Sequence, residues 1–183
     1  MIFHRLALPG AWLIEPEKRG DDRGFFARTW CRKEFVDNGL VDDFVQRNLS
    51  VNPQAGTLRG LHWQARPHSE VKLIQCSRGA IFDVIVDLRA GSPTYGQWLG
   101  VELRADDYRM LYAPEGFAHG FQTLEDDCEV AYLVSAAYAP EASCGIRYDD
   151  PAIDVTWPRP VTRISDQDQQ WPLLSEMWAQ ASG

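Results

Sequence analysis

The stretch A-I-F-D-V-I-V-D-L at residues 80–88 decides the fold class. Its period is two: Phe82, Val84, Val86 and Leu88 take one face, and Ile81, Asp83, Ile85 and Asp87 the other. Shorter runs of the same kind occupy residues 58–64, 71–76, 98–103, 109–113 and 129–135, with turn signals at S-R-G (77–79), A-G-S-P (90–93), A-D-D (105–107) and P-E-G (114–116). Nothing between these runs is long enough for a crossover helix. An antiparallel all-β sandwich or barrel therefore follows, and a parallel α/β sheet does not. The patchily apolar N-terminus, which soon reaches Glu15, Glu17, Lys18 and Arg19, reads as a first strand rather than a signal peptide. Two short helices are expected. One covers residues 31–38 and stops at Gly39. The other follows Ser165, with Asp168 three residues on as a weak capping box and Trp171, Leu173, Leu174, Met177 and Trp178 as an apolar stripe. No repeat or linker interrupts the pattern, which predicts one domain over residues 1–183.

A formal charge of −8 argues against broad electrostatic binding to nucleic acid or anionic lipid. An anionic ligand would then need its positive contacts concentrated in a pocket. No run approaches the roughly 18 apolar residues of a membrane helix. Cys31, Cys76, Cys128 and Cys144 lie far apart without a C-x-x-C pair, the pattern of reduced thiols in a cytoplasmic protein rather than of a disulfide framework or zinc ribbon.

Chemistry concentrates in two places. T-L-R-G-L-H-W-Q (57–64) puts Arg59 and His62 on opposite parities of one strand, with Gly60 between them. Glycine inside a strand marks a bulge or a close backbone approach, and a bulge would bring both side chains to one cavity. The bland alternative is a core histidine beside a surface arginine. P-E-G-F-A-H-G-F (114–121) carries His119 three residues after Gly116 and resembles the second motif of the cupin superfamily. Metal-binding cupins carry H-x-H followed by a carboxylate in their first motif, whereas this chain has His62-Trp63-Gln64 and lacks the second imidazole, so no bound metal is expected. Lys72, Tyr132 and Tyr138, taken singly, read as structural.

Taken together, the motifs resemble the dTDP-4-dehydrorhamnose 3,5-epimerase family. The resemblance rests on D-D-R-G-F-F (21–26), F-V-Q-R-N-L-S (44–50), T-L-R-G-L-H-W-Q, the run from Val71 to Trp98, A-P-E-G-F-A-H-G-F (113–121), Y-A-P-E (138–141), G-I-R-Y-D-D-P (145–151) and I-S-D-Q-D (164–168). It implies a cupin jelly roll with a few short peripheral helices, a cytoplasmic homodimer that exchanges strands, no metal and no organic cofactor. It also implies epimerisation of a nucleotide-linked 4-keto-6-deoxy sugar at C3, C5 or both. The ketone acidifies the neighbouring C–H bonds, so a base, an acid on the opposite ring face and a cation at the enolate oxygen are required. By resemblance these are His62 with Asp168 as its orienting carboxylate, Tyr132, and Lys72. Substrate contacts are implied for Arg23, Phe26, Gln46, Asn48, Arg59, His119 and Tyr138.

Four further positions near the nucleotide depart from the family pattern. Arg28 stands for a glutamate, Arg47 (with Leu49) for the Asp and His of Q-D-N-H-S, Ser143 for a glutamate, and Gln167 for a lysine. They are carried as substrate contacts that leave the base open: dTDP first, then GDP or CDP, with a heptose also admitted. The competing readings are a cupin sugar 3,4-ketoisomerase, a metal-dependent cupin enzyme and a silent sugar-nucleotide binder.

Overall fold

The computed structural model describes residues 1–181, with side chains described through residue 177. Thirteen strands run in chain order: β1 (Ile2–Arg5), β2 (Trp12–Glu15), β3 (Arg19–Asp21), β4 (Gly24–Phe26), β5 (Gln46–Asn52), β6 (Leu58–Gln64), β7 (Lys72–Arg78), β8 (Ala80–Asp87), β9 (Trp98–Arg104), β10 (Met110–Ala113), β11 (Phe117–Thr123), β12 (Cys128–Val134) and β13 (Ser143–Gly145). Helices α1 (Arg32–Asp37), α2 (Asp166–Gln170) and α3 (Leu174–Ala181) are peripheral. A six-stranded sheet, ordered β1-β2-β10-β7-β12-β5, faces a five-stranded sheet, ordered β13-β6-β11-β8-β9, and all strand pairs within them are antiparallel. The expected cupin-type jelly roll is present.

The alternation along β8 explains how the layers stack. Ile81 and Ile85 point between the sheets, onto Ile74, Cys76, Leu111, Phe117, Phe121 and Val130. Val84 and Val86 point outward, where Leu61, Ile146, Ile153 and Leu174 cover them. Both faces of β8 are therefore buried. At roughly 1.5–3 kcal/mol for each fully buried large aliphatic side chain, this strand is the hub of the fold.

Three of the four turn signals, S-R-G, A-D-D and P-E-G, are corners where the chain leaves one sheet for the other, because β7 and β10 lie in the six-stranded sheet and β8, β9 and β11 in the five-stranded one. Gly79 and Gly116 take φ +76° and +79° there. An added Cβ on Gly79 would lie 2.6 Å from Cys128 Sγ, so glycine is required for space as well as for φ. The loop after β8 is held by Asp87, whose carboxylate accepts from Arg89 Nη2 (2.7 Å), Ser92 Oγ (2.6 Å) and Thr94 Oγ1 (2.6 Å). Burial acts to raise its pKa, but these hydrogen bonds outweigh burial and hold it well below the usual carboxylate range.

The N-terminal segment forms two strands rather than one, β1 and β2. Helix α1, too short to persist alone, is anchored by fully buried Phe35, whose ring meets Phe3 at 5.7 Å and Phe44 at 6.1 Å. Ser165 caps α2 as expected, its Oγ accepting from Asp168 N at 3.1 Å. The apolar stripe beyond it is split between the end of α2 and a separate α3. Leu174 and Met177 reach the outer cluster, whereas the Trp178 side chain lies outside the described residues. All four cysteines are free thiols.

Candidate active site

Between the sheets, at the end where β5 and β6 lie, a cavity of about 670 Å³ opens, with an adjoining lobe of about 380 Å³. The larger lobe is lined by Arg59, His62, Lys72, His119, Tyr132 and Asp168, among others. His62, Lys72, Tyr132 and Gln167 line both lobes.

The bulge anticipated at Gly60 is what brings Arg59 and His62 together. Pairing of β11 with β6 runs His119 to His62 and Phe121 to Arg59, so Gly60 and Leu61 together oppose the single Gly120. Gly60 has φ +117°, and a Cβ there would lie 2.5 Å from Gly120 Cα and 2.8 Å from the His119 carbonyl oxygen. Those neighbours are backbone and cannot swing aside. Gly60→Ala should therefore destabilise the protein by about 3 kcal/mol, combining backbone strain and overlap. A urea denaturation midpoint within experimental scatter of the parent would show that the strand relaxes instead.

His62 Nε2 lies 2.6 Å from Asp168 Oδ1. Asp168 is itself fixed by Gly60 N to Oδ2 (3.2 Å) and by Trp171 Nε1 to Oδ1 (3.3 Å). Burial acts to raise the Asp168 pKa, but the hydrogen bonds from His62, Gly60 and Trp171 outweigh it and hold the group below its ordinary value. An ionised Asp168 accepts the Nε2 proton, which leaves the Nδ1 lone pair as the basic position of the ring. Tyr132 is shifted upward by burial first and by the charge of Glu70 second, with Arg59 opposing. It is a protonated phenol at neutral pH, fit to donate. Lys72 Nζ donates to the His62 carbonyl oxygen at 3.2 Å and lies 3.1 Å from Glu70 Oε1. Arg59 Nε donates to Asn52 Oδ1 at 2.7 Å, which aims its remaining guanidinium donors.

The second histidine is paired as well. His119 Nε2 lies 2.7 Å from Asp83 Oδ1, and both side chains are buried. Among the described residues, no three or more His, Cys, Asp or Glu side chains converge as a metal site.

Gln46, Asn48, Tyr138 and Ser143 line the smaller lobe. There Gln46 Nε2 donates to Asn48 Oδ1 (2.7 Å), and Gln46 Oε1 accepts from Tyr138 N (3.2 Å). Four expected contacts are not brought to this cavity. Arg47 alternates to the outer face of β5, against a shallow pocket that includes Trp30, Leu73 and Leu133. Arg28 is drawn off by Glu34, Nη1 to Oε1 at 2.7 Å. Arg23 and Phe26 sit on the exposed β3–β4 arm, Arg23 paired with Asp21 and Phe26 73% exposed. Conversely, Glu70 and Arg163 line the cavity although no motif pointed to them. Glu70 falls two residues before Lys72, the spacing of one strand face, which is the signal that marks it. Arg163 is carried in by a parallel bridge to Thr57, which local sequence does not foreshadow.

Comparison with known proteins identifies the family. A family model described as dTDP-4-dehydrorhamnose 3,5-epimerase matches residues 5–176. The chain is 45% identical over 182 residues to the dTDP-4-dehydrorhamnose 3,5-epimerase of Sinorhizobium fredii, covering 97% of this chain and 91% of that one. It superimposes on the crystal structure of the Bacillus anthracis enzyme of that name with TDP and PPi bound, at TM-score 0.91 and 43% identity over 94% of this chain and 99% of the other. A Legionella pneumophila dTDP-6-deoxy-D-glucose-3,5-epimerase in complex with dTDP-4-keto-L-rhamnose gives TM-score 0.91 and 38% identity, covering 98% and 95%. With sheets, bulge and histidine–carboxylate pair all falling inside the matched span, the chain belongs to the dTDP-4-dehydrorhamnose 3,5-epimerase family.

Proposed function

We propose that the protein epimerises dTDP-4-keto-6-deoxyglucose at C3 and C5 through enolates. The observation that carries this is the convergence of the Asp168-oriented His62, the neutral phenol of Tyr132 and the Lys72 ammonium on one cavity. His62 Nδ1 removes the proton from the carbon next to the ketone. The electron pair passes to O4, where Lys72 stabilises the oxyanion. Tyr132 then delivers a proton to the opposite face of the same carbon, and solvent restores both groups. Arg59 and Arg163 supply positive charge for the diphosphate, the local concentration of cations that a chain of net charge −8 needs for an anionic ligand.

Two of the four altered positions, Arg28 and Arg47, are turned away from the cavity, so the departures do not by themselves call for a base other than thymine. The chain acts as one unit and as a homodimer in which the β3–β4 arm presents Arg23 and Phe26 to the partner's site; exposure of both side chains supports this. No described helix is long and apolar enough to cross a membrane, and work in the cytoplasm, where free thiols persist, fits the reading.

The test is solvent exchange. Protein incubated with dTDP-4-keto-6-deoxyglucose in deuterium oxide should place deuterium at C3 and C5 and form the inverted product. Bound ligand with both carbons unlabelled would remove the proposal.

A further inference from the structure

Glu70 belongs to none of the motifs described above, yet both its oxygens are engaged at the wall of the smaller lobe. Oε1 lies 3.1 Å from Lys72 Nζ, Oε2 accepts from Gln64 Nε2 at 3.2 Å, and the side chains of Glu70 and Lys72 are each 10% exposed. A carboxylate withdrawn this far from water is costly unless closely partnered. Gln64 is already well used, donating to the carbonyls of His68 and Ala137 and accepting from Ala139 N at 2.7 Å. Anchoring the loop does not by itself require a charge. The geometry at Lys72 gives the charge a use. An ammonium has three N–H bonds; one is directed to Glu70 and one to the His62 carbonyl, which leaves one for the cavity.

We infer that Glu70 is a positioning residue for the protonating half of the reaction: it fixes Lys72 so that a single donor faces the substrate ketone, and it gives the wall beside Tyr132 a negative charge. This rests on the epimerase reading. The charged and titratable groups lining the two lobes with Tyr132 are Glu70 just before β7, Lys72 at its start, Arg59 and His62 from β6, His119 from β11, Tyr138 after β12, Arg163 before α2 and Asp168 within it. Burial raises the phenol first, Glu70 adds to the rise and Arg59 opposes it. The carboxylate therefore favours the protonated phenol over the phenolate, which keeps the acid loaded between turnovers.

Glu70→Gln preserves shape and a Gln64 acceptor while deleting the charge. Turnover should fall about five- to tenfold with KM within twofold, since a misdirected ammonium is a transition-state loss. The alkaline limb of the kcat profile should move down by about half a pH unit. The same shift should appear in ligand-free protein as an ultraviolet titration of the phenol that is absent from Tyr132→Phe. Glu70→Asp, which restores the charge from a shorter stem, should return the limb but not the turnover. An unmoved phenol titration, a kcat that rises or stays within twofold, or a limb still displaced in Glu70→Asp would each overturn the inference. Wild-type protein that leaves C3 and C5 unlabelled would instead remove the epimerase reading, while the ligand-free titration still decides the effect of the Glu70 charge.

Discussion

His62→Asn should lower turnover by about 10³-fold and abolish deuterium entry at C3 and C5 together, because one base serves both carbons. The substitution isolates basicity well. An asparagine amide can still donate to Asp168, so the carboxylate that also receives Gly60 N and Trp171 Nε1 keeps a partner. The position is 39% exposed at the cavity wall, which limits the packing cost. What disappears is the free ring nitrogen. The other imidazole in the cavity, His119, is paired in the same way with Asp83, but its side chain is only 9% exposed, against 39% for His62. A variant retaining more than a tenth of wild-type exchange would place the base elsewhere, with His119 the first residue to test.

Tyr132→Phe should reduce epimerised product by about 10²-fold while leaving deuterium wash-in largely intact. Without the phenol, the carbanion is still formed by His62, and the deuteron can return only from the side it left. Exchange without inversion is the distinguishing signature. Phenylalanine keeps the ring that packs against the interior cluster, so the thermal midpoint should change little. The measurement is proton NMR of recovered sugar nucleotide, with isotope content and configuration read from the same sample. Exchange and inversion falling in parallel would instead mean that the phenol takes part in proton removal.

The layers of the fold were legible because short strand-like runs at β6, β7, β8, β9, β10 and β12 follow one another closely between turn signals, with no helix of crossover length among them. Their assignment to sheets was not, since S-R-G and P-E-G are identical on paper whether they fold a hairpin or turn a corner between layers. At the site, the Gly60 bulge could be anticipated from Arg59 and His62 sitting on opposite parities around a glycine. Asp168 could be placed only through resemblance, because 106 residues separate it from His62 and no local pattern encodes that meeting. Arg47 went astray for a simple reason: strand alternation turns it to the outer face of β5 while Gln46 and Asn48 face the lobe. Arg28 did so because Glu34, in the first turn of α1, competes for it. Glu70 went unread although it lies two residues before Lys72, because its ion pair shows only in the fold, and Arg163 went unread because a bridge to Thr57 carries it in.

His62 supplies a ring nitrogen to one job and, through its own main-chain oxygen, a tether for Lys72 Nζ at 3.2 Å. Any thermal sway of β6 thus carries the proton acceptor and the cation along as a pair. The separation between them is buffered against breathing of the walls, and substrates of slightly different girth meet the same two groups at the same mutual spacing.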